Sequence, residues 1–320
     1  MMIMKKYIPL LLLISLFVSC EKVIEFDTTV SESQLILNAM PSNGDQLFVN
    51  FAYSRFFLDD NNDHPVPNVD MTILVNGVPY SPDSMRNCNY YFGYNLQDDD
   101  VLDINIRAGG NTISAHTYVP RMPRISTPDV SVLSTYVDLL SVQFNIDDYT
   151  DYKEYYCLTV QQRDSGFRYN PFLEKIDTID TTYTTYFLCQ DKQLANTEAI
   201  NIEGMDVMAF NRLLATDEHI DGTNHPTALY VWMYKDTNEI YPFIHQYTLN
   251  VESVTPDRYR YLQDLGMATS IIQLITEPAP VHSNVEGALG IFAGNAKRVF
   301  PLATITNDST LAYKPRNRKK

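Results

Sequence analysis

Positive charge is in short supply in this chain of 320 residues, where 24 Lys and Arg stand against 39 Asp and Glu and the formal net charge is −15. A body of that sign repels phosphate backbones, which excludes nucleic acid as a partner. Cysteine is scarce too, with four in the chain and no Cys-x-x-Cys pair, so dithiol redox catalysis and a structural zinc site both lack support. Neither Gly-x-Ser-x-Gly nor His-Glu-x-x-His occurs, and no glycine-rich phosphate loop joins a strand to a helix. With 39 acids present, no particular carboxylate pair is informative. The expectation is a protein that is no enzyme and needs no cofactor. No segment after the first twenty residues is apolar enough to span a bilayer, and no repeat of 20 to 50 residues is visible. A hydrophobic content of 45%, with 22 Tyr and 15 Phe, is nonetheless that of a globular body.

What is present starts with Met1 to Cys20. Lys5 and Lys6 form a short basic region, followed by an apolar run from Tyr7 to Val18 interrupted by Pro9 and Ser15. The run is too short for a membrane span and has the layout of a secretory signal. It ends in Leu16-Phe17-Val18-Ser19-Cys20, which resembles a bacterial lipobox. That resemblance implies cleavage before Cys20 and acylation of Cys20 itself. Residues 1–20 are then a lipoprotein signal peptide, and the lipid attaches the mature body to a membrane. An ordinary signal peptide that happens to end near a cysteine is the alternative. Residues 21–33 read as a polar linker, and its acids resemble the surface-export signals of some Bacteroidota lipoproteins.

From Gln34 the chain becomes a series of strand-length apolar segments punctuated by Asn, Gly, Pro and Asp. Leu35–Leu37, Leu47–Tyr53, Val69–Val75, Asn89–Leu96, Val101–Ile106 and Thr112–Val119 carry no helical run between them. Asn76-Gly77 is a strong hairpin signal because both residues accept positive φ. Residues 34–120 therefore read as an antiparallel β-sandwich, which Pro65 to Val69 and Asn76-Gly77 make similar to transthyretin-like modules. Pro120, Pro123 and Pro128 mark a boundary. Leu139–Ile146, Glu154–Gln161, Thr182–Gln190, Ala228–Tyr234 and Ile244–Val254 predict a second sandwich over 129–306, of fibronectin or immunoglobulin type. The one helix expected in this mainly β chain spans residues 256–265, with Thr255 as N-cap, Pro256 at the first position and a stop at Gly266. Residues 307–320 form a basic tail, read either as a solvated terminus or as a docking element for anionic groups.

Candidate sites are few. Asp59, Asn61 and Asp63 offer oxygens at alternate positions, as calcium loops do, but lack the turn glycine and the distal glutamate; an acidic hairpin tip is the competing reading. Asp217, His219 and Asp221 would share a face in an extended chain and suit a transition metal, although Asp221-Gly222 is first of all a turn. Cys157 and Cys189 lie in strand-like runs and are either disulfide-bonded or buried free thiols. Tyr183, Tyr186, Tyr230 and Trp232 belong to aromatic stretches that suit a recognition surface, with core packing as the alternative.

The run Glu277-Pro278-Ala279-Pro280-Val281-His282-Ser283-Asn284-Val285-Glu286-Gly287-Ala288-Leu289-Gly290-Ile291-Phe292-Ala293-Gly294 resembles the C-terminal signature of the family catalogued as domain of unknown function 4249. Asp217 to Gly222 looks like a second element of that family, and Cys20 to Ile24 like its lipidated start. Ala288 and Ala293 stand where the family pattern has glycine. The resemblance implies a Bacteroidota lipoprotein of the outer membrane, on its periplasmic or its cell-surface face. It further implies a binding partner of a TonB-dependent β-barrel transporter, which captures cargo or caps the barrel in nutrient uptake. A structural or adhesive surface lipoprotein without a small ligand is the other expectation. Four Asp-Ser/Thr triplets, at Asp83, Asp177, Asp180 and Asp308, resemble O-glycosylation sites and equally arise by chance in such a composition.

Overall fold

Strict alternation of apolar and polar residues builds the first half of the protein. The structure, a computed structural model, describes residues 33–54, 64–134, 138–149, 151–195, 200–202, 205–220, 224–233, 239–268, 280–306 and 310–312. Eight strands come first: β1 (Leu35–Ala39), β2 (Gln46–Tyr53), β3 (Asp70–Val75), β4 (Val78–Tyr80), β5 (Ser84–Arg86), β6 (Asn89–Asn95), β7 (Val101–Ala108) and β8 (Asn111–Tyr118). One sheet runs β1-β2-β6-β5 and the other β4-β3-β7-β8. Leu37, Val49, Phe51 and Phe92 from the first sheet meet Ile73, Leu102, Ile104 and Ile113 from the second in one buried core. A one-residue slip would turn each strand's apolar set outward, so burial fixes the register. At the β3–β4 turn Asn76 and Gly77 have φ of 51° and 81°, the left-handed pair the sequence predicts.

The remaining elements are β9 (Asp129–Ser134), β10 (Asp138–Asp147), β11 (Tyr155–Asn170), β12 (Lys175–Thr185), β13 (Phe187–Cys189), α1 (Lys192–Ala195), β14 (Ile200–Ile202), β15 (Met205–Phe210), β16 (Leu213–Thr216), a 3-10 turn (Asp217–His219), β17 (Asn224–Trp232), β18 (Glu239–Val254), α2 (Pro256–Ala268), β19 (Leu289–Phe292), β20 (Asn295–Thr306) and β21 (Thr310–Ala312). One sheet runs β14-β15-β13-β17-β10-β9, the other β12-β11-β18-β20-β21 with β16 also on β11. Val142, Phe144, Phe187, Leu229 and Val231 of the first pack on Leu158, Val160, Leu249, Val251 and Leu302 of the second. The chain is thus mainly β, with several antiparallel sheets and two short helices.

Three features correct the sequence reading or decide between its alternatives. Helix α2 continues past Gly266 to Ala268, because a single glycine costs only about 1 kcal/mol in a helix. Its start is as expected, with the Arg258 N–H donating to Thr255 Oγ1 at 3.4 Å. Cys157 and Cys189 are buried free thiols on different sheets. Cys157 packs with Val254 and Leu262 under α2, while Cys189 belongs to the main core. The third is β19, which lies between β18 and β20 of the second sandwich in chain order yet pairs in parallel with β1, Ile36 opposite Leu289 through Ala39 opposite Phe292. Only Ala293 and Gly294 separate it from β20, so one extended segment is shared by both sandwiches. No helix among the described residues is long and apolar enough to cross a membrane.

Candidate functional site

The shared segment forms one wall of a concave polar surface. From Pro280 to Asn295 the chain passes along the edge of β8 and enters the first sheet as β19. Ser114 of β8 and Glu286 form an antiparallel bridge, each N–H donating to the other's carbonyl, at 3.1 and 2.8 Å. The backbones then approach so closely that side chains are excluded. A Cβ on Gly290, whose φ is 119°, would stand 2.0 Å from the Leu37 carbonyl oxygen, and one on Gly294 1.9 Å from that of Tyr118. Two glycines of the family-like signature are therefore spacers between strands rather than ligand contacts.

A cleft of about 430 Å³ opens beside this bridge. Its walls are Asp103 and Asn105 of β7, Ser114 and His116 of β8, Asp257 of α2, and Asn284 and Glu286 of the crossing segment, with Ile104 and Ala115 completing the lining. Three carboxylates line it, and among the described residues no Lys or Arg does. His116 Nδ1 is 2.7 Å from Asp103 Oδ1, and the Ser114 hydroxyl donates to Glu286 Oε2 at 3.2 Å. The Asn284 amide donates to Asp257 Oδ2 at 3.4 Å, and His282 Nε2 is 2.8 Å from Asp257 Oδ1. Behind the cleft, Tyr155 and Tyr259 pack ring to ring at 5.1 Å. Burial raises the Tyr118 phenol above its ordinary range, with the nearby Tyr155 and Asp257 adding to the shift. The site therefore draws on the first sandwich, the helix and the crossing segment, a setting in which ligand sites are common.

The expected site residues fall elsewhere. Cys20, Asp59, Asn61, Asp63 and Asp221 lie outside the described residues, as does the His219 side chain. Asp217 is buried and its Oδ2 accepts the Glu154 N–H at 2.5 Å, so it fixes a loop. Among the described residues no three His, Cys, Asp or Glu are arranged to hold a metal ion. The aromatic four are divided between sheets. Tyr183 on β12 donates its hydroxyl to Asp164 Oδ2 at 3.0 Å, and Tyr186 is exposed in the break between β12 and β13. Tyr230, only 7% exposed, donates to Gln190 Oε1 at 2.9 Å and packs with Trp232, Leu139 and Leu188 on β17 and its neighbours. Sequence reasoning missed Asp103, His116, Asp257 and Glu286 as a group, because strand pairing over more than 150 positions assembles them.

A mainly β body of packed antiparallel sheets, with an acidic cleft where they meet, defines the class of protein. Within that class the chain belongs to the family described as Domain of unknown function (DUF4249), whose model matches residues 21–299. A search of curated proteins finds no match. Among solved structures, one described as "Complete structure of manganese lipoxygenase of Gaeumannomyces graminis and partial structure of zonadhesin of Komagataella pastoris" is 9% identical, covers 88% of this chain and 97% of that chain, and has a TM-score of 0.19. A second, the collagen binding domain of Erysipelothrix rhusiopathiae surface protein RspB, is 10% identical, covers 85% and 96%, and has a TM-score of 0.16. Scores this low carry no argument about fold or function.

Proposed function

We propose that this protein is a lipid-anchored, non-enzymatic binding protein of the outer membrane that captures a positively charged ligand in the junction cleft and serves a TonB-dependent transporter. The two sandwiches are read as transthyretin-like and fibronectin- or immunoglobulin-like, and Cys20 as the acylated residue. The observation that carries the reading is the cleft, with three carboxylates and hydrogen-bonding Asn and Ser groups around about 430 Å³ and no Lys or Arg among the described residues of its lining. Purification of the native protein in mild detergent tests the partnership. Co-purification of a β-barrel transporter supports it, and recovery of the protein alone contradicts it.

A second reading, an adhesive surface protein, is supported by one specific feature. The β11–β12 hairpin ends in Phe172, which is 95% exposed, with Leu173, Ile176 and Tyr169 exposed beside it. Deletion without any growth defect on any nutrient, combined with lost binding to a surface polymer, would favour this reading over the first.

A further inference from the structure

The same hairpin has a buried charged knot at its root, and nothing in the cleft accounts for it. His245 of β18 is 2% exposed. Its Nδ1 is 2.8 Å from Asp164 Oδ1 on β11 and its Nε2 is 3.1 Å from Glu239 Oε2 at the start of β18. The side chains of Asp164 and Glu239 are themselves 6% and 2% exposed. Carboxylate oxygens only accept hydrogen bonds, so a ring that meets one at each nitrogen satisfies both only when both nitrogens carry protons. Arg168 lies 4.0 Å from Asp164 Oδ2 and 3.7 Å from Glu239 Oε1, its guanidinium 5.3 Å from the centre of the Phe243 ring. Gln162 donates to Asp164 Oδ1 at 2.8 Å, its Nε2 also standing 3.2 Å from His245 Nδ1, and Tyr183 of β12 donates to the other Asp164 oxygen at 3.0 Å. Two buried anions thus face a buried imidazole and the guanidinium of Arg168, whose side chain stays a third exposed.

The knot sits where the strand ladder is broken. Ser165 pairs with Ile244 and Phe167 with Ile240, so residues 241–243 of β18 stand against Gly166 alone. His245 and Asp164 lie on the inner side of this bulge, and Glu239 and Arg168 on the outer side. Beyond it, among the described residues, only Ile240 and Glu239 pair β18 with β11, and the described pairing past Arg168 is that between the two strands of the hairpin, which carries the apolar tip. Two-stranded ribbons are marginal in water on their own.

We propose that His245, held as an imidazolium between Asp164 and Glu239, is a proton-dependent lock on the outer β11–β12 hairpin, engaged when the ring is doubly protonated and released when it loses one proton. A neutral ring keeps a single N–H, so either Asp164 or Glu239 loses its hydrogen bond to the ring and the pairing across the bulge loses its staple, while Gln162 and Tyr183 still hold Asp164. The groups facing the ring are Asp164, Arg168 and Gln162 from β11, Tyr183 from β12 through Asp164, and Glu239 and Phe243 from β18. Burial alone would lower the ring's pKa. The Asp164 hydrogen bond and the charges of Glu239 and Asp164 outweigh burial, so the pKa stands above the ordinary 6.5. A raised histidine pKa gives stability that is complete below the unfolded value and is lost as pH rises through the folded one. The apolar tip is then presented on a stiff arm below the folded-state pKa of the ring and on a looser one above it.

Hydrogen exchange of the full chain, read by mass spectrometry across a pH series and corrected for the intrinsic rate, tests this. Peptides covering 166–179 should lose protection several-fold in a one-proton step above pH 6.5, while the first sandwich stays unchanged, and His245→Gln should abolish the step. A wild-type arm whose protection is independent of pH, or a step that persists in the variant, overturns the lock. Nitrogen NMR of the His245 ring in the wild type stands apart from any folding defect of the variant. Two protonated ring nitrogens at pH 6 are expected, and a neutral tautomer there overturns the proposal.

Discussion

Asn284 and Phe292 hold each other as two strands would: the Asn284 amide donates to the Phe292 carbonyl at 2.8 Å, and the Phe292 N–H donates to Asn284 Oδ1 at 2.9 Å. A side chain thus supplies the ladder that the β1 pairing leaves open on the other edge of β19. Asn284→Ala removes both partners of a buried peptide group, at a cost of about 2–5 kcal/mol. Urea denaturation should show the first sandwich weakened by that order, and a change below about 0.5 kcal/mol would mean that solvent replaces the pair.

Close packing of the crossing segment makes a second prediction. Gly290→Ala places a methyl group 2.0 Å from the Leu37 carbonyl oxygen at a φ of 119°, a conformation that L residues rarely adopt. The variant should melt well below the wild type. Gly77→Ala, also at positive φ but with open space around it, should cost only about 1 kcal/mol. Equal effects at the two positions would remove close approach as the cause.

Glu154 predicts a pH dependence in the opposite direction from a paired surface acid. It is 2% exposed, and burial, aided by the neighbouring Asp148, pushes its carboxyl up to about 7 against the Tyr149 N–H and Tyr156 hydroxyl bonds that favour ionisation. Between pH 4.5, where the unfolded chain releases this proton, and about 7 the folded state alone retains it. Stability should therefore fall as pH rises through that window, by at most about 3 kcal/mol, and then level off. Glu154→Gln keeps the acceptor oxygen and should remove this component from denaturation curves taken at about pH 4.5 to 8.

The three described thiols are expected to be inert. Burial raises Cys157 and Cys189 to about 12, leaving almost no thiolate at neutral pH. Ellman's reagent should label none of Cys88, Cys157 and Cys189 in the native protein and all three after unfolding. A mass two hydrogens short under non-reducing conditions would show a disulfide and contradict the free thiols.

The first sandwich was readable because one face of each strand is wet. Ile104 and Ile106 alternate with Asn105 and Arg107, and that pattern alone locates β7. Expectation and structure agree within two residues at Leu35, Leu47, Val69, Asn89, Val101 and Thr112. The outer hairpin was not readable: Ser165, Gly166 and Arg168 on one strand and Thr178 and Asp180 on the other are wet or half-wet, so no periodicity marks them. Nor was the helix end at Ala268, where packing of Leu262 and Tyr259 outweighs the propensity of Gly266. The cleft escaped for a different reason. Asp257 reads as an acid in a first helical turn and Glu286 as part of a glycine-rich turn, and the Ser114–Glu286 bridge together with the bonds of His282 and Asn284 to Asp257 makes them neighbours.

Calorimetric titration of the full chain with a linear triamine such as spermidine, beside the Asp257→Asn/Glu286→Gln variant, tests the binding account most directly. The account predicts saturable binding to the wild type that weakens with salt and is lost in the variant, since the cleft owes its charge to Asp103, Asp257 and Glu286. Heats of dilution alone with the wild type, or equal affinity in both proteins, would contradict a cation-capturing cleft.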